Sequence, residues 1–307
     1  MSILITGAAG FIGSNFTHFL VNRGYKNIFC IDKLGYASNI LNIKGLPIEF
    51  NKIDLTNYKV LNKYINKVKP KFIFHFAAES HVDNSINDVL PFLDNNIKAT
   101  VNLLNSVKNI KFSKLIFIST DEVFGSITKG KFNKNSQYNP LNPYSASKAA
   151  SEHFINSYAN TFKIPCIITN CSNNYGPRQH KEKLIPKIIQ NCLNDIKIPI
   201  YGNGLQIRDW IYVEDHCDIL LKIMKKGKIN SRYLIGGGFE ITNIELTKKI
   251  INKLKKSEAL INFVKDRKGH DFRYAINNYD LKKEFSWQPK TNFNDGIKKT
   301  IDWYECN

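Results

Sequence analysis

The chain has 307 residues with 43% hydrophobic and 23% charged residues, including 20 Phe and 14 Tyr, so it can bury a core without disulfide or metal staples. Its 44 basic residues against 26 acidic ones give a formal charge of +18, but 38 of the 44 are Lys, scattered singly or in pairs. That pattern reads as a Lys-rich solvated surface rather than a nucleic-acid footprint. Six cysteines, Cys30, Cys166, Cys171, Cys192, Cys217 and Cys306, form no C-x-x-C pair and no zinc spacing with His, which predicts reduced thiols, no metal and a cytoplasmic protein. The uncharged first 22 residues lack a basic leader and are broken by Gly7, Gly10 and Gly13, and no later apolar run is long enough for a membrane span.

Taken in chain order, short β-branched runs alternate with helical stretches. Strands are expected at Ile3 to Thr6, Ile28 to Asp32, Ile48 to Asn51, Phe72 to Phe76, Leu115 to Ser119 and Cys166 to Asn170. Their near-continuous apolar character predicts a parallel sheet covered on both faces. After about Asn174 the chain turns to Gly- and Pro-rich loops with helices near 183–193, 214–226, 243–256 and 294–305. The expected fold is α/β, a Rossmann-type doubly wound parallel sheet with a smaller C-terminal α/β substrate lobe. Residues 1–173, with about 214–240, form the first unit; 174–213 and 241–307 form the second.

The first strand runs into Gly7-Ala8-Ala9-Gly10-Phe11-Ile12-Gly13 and then a helical segment. Gly7 permits a tight turn, Gly10 lets backbone approach a diphosphate at a helix N-terminus, and Gly13 allows close packing of helix on strand. Asp32 ends the next strand, where a carboxylate accepts ribose hydroxyls and repels a 2′-phosphate, so NAD is favoured over NADP. Lys33 beside it leaves a smaller opening for NADP.

Tyr144 and Lys148 form Y-x-x-x-K. The chain holds two such pairs, the other being Tyr279 and Lys283, about what chance delivers, so context must decide. Asn142 and Pro143 read as a helix N-cap and first turn, which places Tyr144 and Lys148 one turn apart on one face. A nearby ammonium is expected to lower the tyrosine pKa and make Tyr144 a base for a sugar hydroxyl.

Together these residues resemble the extended short-chain dehydrogenase/reductase family. Further blocks narrow the resemblance to nucleotide-sugar 4,6-dehydratases: HFAAESHVDNSI (75–86), STDEVFG (119–125), NPYSASKAASE (142–152), TNCSNNYGP (169–177), EKLIP (182–186), IRDWIYVED (207–215) and DRKGHDFRYAI (266–276). The discriminating block is Thr120-Asp121-Glu122. The resemblance implies that Tyr144, aided by Thr120, takes the proton of the glucose 4-hydroxyl while hydride passes to NAD, that Glu122 removes the C5 proton, and that Asp121 protonates the departing C6 hydroxyl. Two carboxyls with opposite tasks must titrate differently. The implied substrate is dTDP-glucose or UDP-glucose, and the implied product feeds deoxyhexoses such as rhamnose.

The resemblance also assigns cofactor contacts to Asp54 and Leu55, to Phe76, Ala77 and Ala78, and to Cys171. It assigns the nucleotide sugar to Ser80, His81, Asn173, Lys183, Leu184, Pro199 to Tyr201, Arg208, Asn243, Arg267 and His270. Four of the six Arg, namely Arg178, Arg208, Arg267 and Arg273, fall in or beside these blocks, as expected where a planar guanidinium matters. Asn84, Phe124 and Leu234 depart from the family pattern, and the loops after Asp32 and between Gly125 and Pro143 are short for it. Helices near 94–108 and 144–160 match a family dimer interface, with Ile97, Val101 and Leu104 as an apolar stripe. Two other readings remain: a 4-epimerase or decarboxylase, and a non-catalytic NAD- or nucleic-acid-binding protein.

Overall fold

The computed structural model describes residues 1–306. Twelve strands are present among them: β1 (Ile3–Thr6), β2 (Ile28–Asp32), β3 (Glu49–Lys52), β4 (Phe72–His75), β5 (Lys114–Thr120), β6 (Cys166–Cys171), β7 (Asn173–Tyr175), β8 (Ile198–Tyr201), β9 (Ile207–Tyr212), β10 (Ser231–Ile235), β11 (Glu240–Thr242) and β12 (Ile261–Val264). Seven form one sheet in the order β10-β6-β5-β4-β1-β2-β3, and each adjacent pair is parallel. The order reverses between β1 and β4, which opens a crevice beyond the carboxyl ends of those strands.

The six expected strands are all present, shifted by one residue at some ends, and β10 joins them from far along the chain. Helices cover both faces. Ile3, Ile5, Phe16, Phe74, Ile116 and Leu220 share one core with Leu281, Phe285 and Trp287, and Leu4, Ile73, Leu103, Phe117 and Ile155 share the other. A third core, with Ile188, Ile200, Trp210, Leu246 and Ile297, fills the C-terminal half, where β11-β9-β7 and β12-β8 form two small sheets. No described helix is long and apolar enough to cross a membrane.

Two details differ from the sequence expectation. The helix expected near 94–108 begins as a wide π turn, Leu93–Lys98, before the α-helix Ala99–Val107. The Asn96 carbonyl there accepts hydroxyls from Thr100 at 2.5 Å and Ser151 at 2.9 Å, so side chains take the acceptor that an α turn would use. Leu104 is fully buried in the core, leaving Ile97 and Val101 half-buried on the outer side.

Gly236, Gly237 and Gly238 carry the chain from the large sheet to β11. A Cβ at Gly237 would stand 1.7 Å from the Trp210 carbonyl oxygen, whereas at Gly238, with φ +71°, nothing lies within 4 Å. Gly237→Ala is therefore expected to cost about 3 kcal/mol or more and Gly238→Ala about 1 kcal/mol, read from urea unfolding. Equal losses at the two positions would contradict the packing described.

Candidate active site

The glycine turn is a backbone-on-backbone contact. A Cβ at Gly13 would stand 2.2 Å from the Gly7 oxygen, and one at Gly7, whose φ is +68°, would stand 2.6 Å from the Ala77 nitrogen. Gly10 caps the helix Phe11–Val21 without a side-chain bond and lines the cavity, and a Cβ there would stand 3.3 Å from the Gly7 oxygen. Asp32 is buried, its carboxylate accepting the Ala9 amide at 3.0 Å and the Leu34 amide at 2.7 Å, and each oxygen keeps a lone pair for a hydroxyl. Lys33 is occupied by an ion pair with Glu79 at 3.3 Å.

One cavity runs from this turn along the carboxyl edge of the sheet. It is lined by Gly7, Gly10, Phe11, Ile12, Gly13, Asp32, Lys33, Asp54, Leu55, Phe76, Ala77 and Ala78, then Ser80, Thr120, Asp121, Glu122, Tyr144, Lys148, Cys171, Asn173 and Lys183. An uncapped helix N-terminus for a diphosphate and a carboxylate for ribose hydroxyls suit a dinucleotide. The strip at 76–78 is set by a directed chain. The Ala77 amide donates to the Thr6 hydroxyl at 3.3 Å, and Thr6 donates to His75 Nδ1 at 2.7 Å. His75 Nε2 in turn donates to the Thr100 hydroxyl at 3.0 Å, which passes its own proton toward Asn96. Burial lowers His75 to about 3, so the ring is the neutral bridge this chain requires.

Thr120 ends β5, and its hydroxyl accepts the Glu122 amide at 3.3 Å, capping the 3₁₀ turn Asp121–Phe124. Across the cavity, the Asn142 side chain accepts the Ser145 amide at 2.9 Å and Pro143 opens the helix Pro143–Phe162, so Tyr144 and Lys148 share a face toward Thr120. Asp121 is 1% exposed and its Oδ2 has no hydrogen-bond partner among the described residues. Burial, with the Glu122 charge next, pushes the Asp121 carboxyl well above the usual carboxylate range. Glu122 is half-buried and is also raised by burial, but Arg208, Arg267 and Lys183 oppose the rise. Burial thus favours the protonated form of both adjacent carboxyls, most strongly at Asp121, while the three cations favour ionisation of Glu122.

The expected lowering of Tyr144 by Lys148 is not what the structure shows. Burial, then the Glu122 charge, raises Tyr144 well above its usual value, and the opposing contribution comes from a hydrogen bond with Thr120. Lys148 instead donates to the Ile118 carbonyl at 2.7 Å and lies 4.2 Å from the centre of the Phe117 ring. Burial lowers its ammonium to about 8.

The remaining expected residues divide. Lys183 donates to the Ser80 carbonyl at 2.6 Å, and His81 caps the helix Val82–Asn87 by accepting the Asn84 amide at 3.4 Å. His81, Leu184, Pro199, Tyr201, Arg208, Asn243, Arg267 and His270 do not line the main cavity. Arg208 is buried against the Tyr274 ring at 4.4 Å and donates to the Asp271 carbonyl at 2.9 Å. Asp83 joins the two halves by accepting Tyr201 OH at 3.0 Å and Arg267 Nη1 at 3.4 Å. His270 pairs with Asp266 at 2.7 Å and meets the Tyr201 ring edge-on. Asn243 begins the helix Asn243–Lys253, Leu184 begins Leu184–Leu193, and Pro199 lies in β8.

Sequence reasoning missed His75, Asp83, Glu152, Asp271 and Tyr274. Tyr274 is 1% exposed, donates to Asp271 Oδ2 and reaches Glu122 Oε2 at 3.5 Å. Its signal was its place in the block 266–276, three residues after Asp271.

The Asp121 shift has a stability consequence with a definite sign. Above its ordinary value of 3.8 the unfolded chain ionises at this position while the folded one keeps its proton, so the side chain costs stability increasingly as pH rises toward its own higher pKa. Asp121→Asn is expected to raise stability by about 1 kcal/mol near pH 8 and by little near pH 4, measured by thermal unfolding across pH. A gain that shrinks with rising pH would contradict the assignment.

Comparison with known proteins gives the family. The family model described as GDP-mannose 4,6 dehydratase matches residues 4–300. A dTDP-glucose 4,6-dehydratase of Haemophilus influenzae is 41% identical over 333 residues, covering 100% of this chain and 98% of that protein. The crystal structure of DesIV, a dTDP-glucose 4,6-dehydratase from Streptomyces venezuelae with NAD bound, superposes with a TM-score of 0.97 at 37% identity, covering 100% of this chain and 98% of that one. The UDP-glucose 4-epimerase of Thermus thermophilus, also solved with NAD, gives 0.93 at 25% identity over 99% of each chain. The fold is therefore shared with epimerases, and the stronger sequence match lies with the dehydratases. The chain belongs to the extended short-chain dehydrogenase/reductase family, among its nucleotide-sugar 4,6-dehydratases.

Proposed function

We propose that the protein dehydrates dTDP-glucose to the 4-keto-6-deoxy sugar, with NAD held along the cavity from Gly7 to Lys148. The observation that carries this reading is the Asp121–Glu122 pair beside Thr120 and Tyr144, two adjacent carboxyls both raised by burial, Asp121 to well above the usual range and Glu122 against the opposition of Arg208, Arg267 and Lys183. NAD, when bound, supplies the acceptor for the C4 hydride and the donor that returns it to C6, and adds a positive ring to a cavity that otherwise holds Tyr144 high. Tyr144 and the Thr120 hydroxyl engage the 4-hydroxyl, with Tyr144 taking its proton. A C4 ketone acidifies the C5 proton, which Glu122 removes, and Asp121 gives its proton to the departing C6 hydroxyl. Glu122 then returns a proton to C5. Water is lost and the oxidation state of the sugar is conserved.

Residues 1–173 with about 214–240 are proposed to hold the cofactor, and 174–213 with 241–307 the nucleotide sugar. Arg208, Arg267 and Lys183, whose positive charges oppose the rise at Glu122, are the candidates for the diphosphate. The relatives named for dTDP-glucose support thymidine over uridine. We also propose a homodimer through the helices covering 93–107 and 143–162. Leu93 is 44% exposed, Phe154 40% and Phe162 48%, and all three lie on those helices. Six free cysteines, five of them buried, support a reducing compartment such as the cytoplasm.

Incubation with NAD and dTDP-glucose is expected to yield a product lighter by one water in mass spectrometry, with UDP-glucose turned over more slowly. An isomer of unchanged mass, or loss of carbon dioxide from a uronic acid, would favour an epimerase or a decarboxylase. Glu122→Gln is expected to lower overall turnover by about 10²–10⁴-fold while C4 oxidation still raises absorbance at the reduced nicotinamide band. Light scattering at micromolar concentration is expected to give twice the chain mass of 35.3 kDa, and Phe154→Glu to shift it toward the monomer.

A further inference from the structure

Glu152 is a fully buried carboxylate with no part in the proton transfers above. Four groups from four parts of the chain converge on it. Ser119 of β5 donates to Oε1 at 2.5 Å and Asn170 of β6 at 2.7 Å, while Tyr138 of the loop after Gly125 donates to Oε2 at 2.7 Å and Arg232 of β10 pairs with Oε2 at 2.7 Å. The Arg232 guanidinium also lies 4.9 Å from the Tyr138 ring and 5.4 Å from the Phe124 ring.

These partners surround the reacting groups. Ser119 precedes Thr120, and the Asn170 amide that reaches Glu152 also donates to the Thr120 carbonyl at 2.9 Å. Glu152 lies one helical turn beyond Lys148, which itself donates to Ile118 of the same strand. We propose that Glu152, paired with Arg232, is a positioning residue for the reaction assigned above. It fixes the helix of Tyr144 and Lys148 against the strand end of Thr120, Asp121 and Glu122, and sets a negative charge one turn from Lys148.

Burying an ion pair is costly, and a well-packed apolar pair would serve stability as well. What an apolar pair cannot supply is charge. Lys148 faces Tyr144 and Glu152 from its own helix, Cys171 from β6, the neutral His75 from β4, and the Phe117 ring and Ile118 carbonyl from β5. Of these, Glu152 is the first to oppose the loss of its proton on burial, with Cys171 next.

The test replaces charge without volume. Protein labelled with ¹³C at lysine Cε is titrated as parent, Glu152→Gln and Glu152→Asp, with Lys148 assigned from the resonance lost in Lys148→Arg. The parent midpoint is expected near 8. In Glu152→Gln it is expected to fall by about one pH unit or more, with Glu152→Asp restoring most of it. The alkaline limb of kcat for dTDP-glucose is expected to move with the midpoint while KM changes by less than about twofold. A Lys148 midpoint that stays in place in Glu152→Gln overturns the proposal, even if thermal stability drops. If Glu152→Gln does not fold, Glu152→Gln with Arg232→Met removes both charges, and an unmoved midpoint there overturns it equally. A midpoint that moves in a protein unable to dehydrate dTDP-glucose would uphold the positioning role and refute the assigned reaction.

Discussion

Parallel strands that all end at one edge leave a row of polar groups there without the next ladder partner, and much of the cavity lining in this protein is attached at or just beyond that edge, with Tyr144 and Lys148 brought to it on the helix Pro143–Phe162. Gly7 follows β1, Asp32 closes β2, Phe76 follows β4, Thr120 closes β5 and Cys171 closes β6. Because the sheet order reverses between β1 and β4, flanking helices cannot close over that point, and the cavity forms there. The close approach of Gly13 to the Gly7 carbonyl draws the first helix against this edge. Without it, the helix terminus would stand back from the groove.

Burial then turns this geometry into chemistry. Thr120, Asp121, Tyr144 and Lys148 are each less than a tenth exposed, so small differences in neighbours decide which of the last three carries charge. Asp121 has Glu122 and Asp209 raising it against Arg208, whereas Glu122 has Arg208, Arg267 and Lys183 lowering it against Asp271. Two of those cations come from the C-terminal half of the chain beyond β8, so the protonation pattern of a strand end in the large sheet depends on how the C-terminal half docks. The Asp83 contacts to Tyr201 and Arg267 are part of that docking.

Much of this was legible locally. The glycine spacing, the acid at Asp32 and the Asn142-Pro143 cap are short-range signals because a tight turn, a strand end and a helix start each need particular residues within a few positions. Strand positions were legible for a related reason, since strands buried on both faces must be apolar throughout. Boundaries slipped by a residue where polar termini such as Lys114 and Lys52 extend the ladder. The π turn at Leu93–Lys98 was not legible, because one of the two hydroxyls on its Asn96 carbonyl comes from Ser151 of another helix.

The sequence by itself determined the α/β architecture and the dinucleotide turn, because these follow from backbone conformation and side-chain chemistry within single segments, and its resemblance to a family singled out the residues proposed as acid and base. Tertiary structure decided their electrostatic state. Tyr144 is held high rather than low, Lys148 points to a carbonyl, and Glu152 gathers four partners separated by up to 80 residues from itself. Charge states in a buried site are set by what lies within a few ångströms in space, and the chain order carries no record of those neighbours.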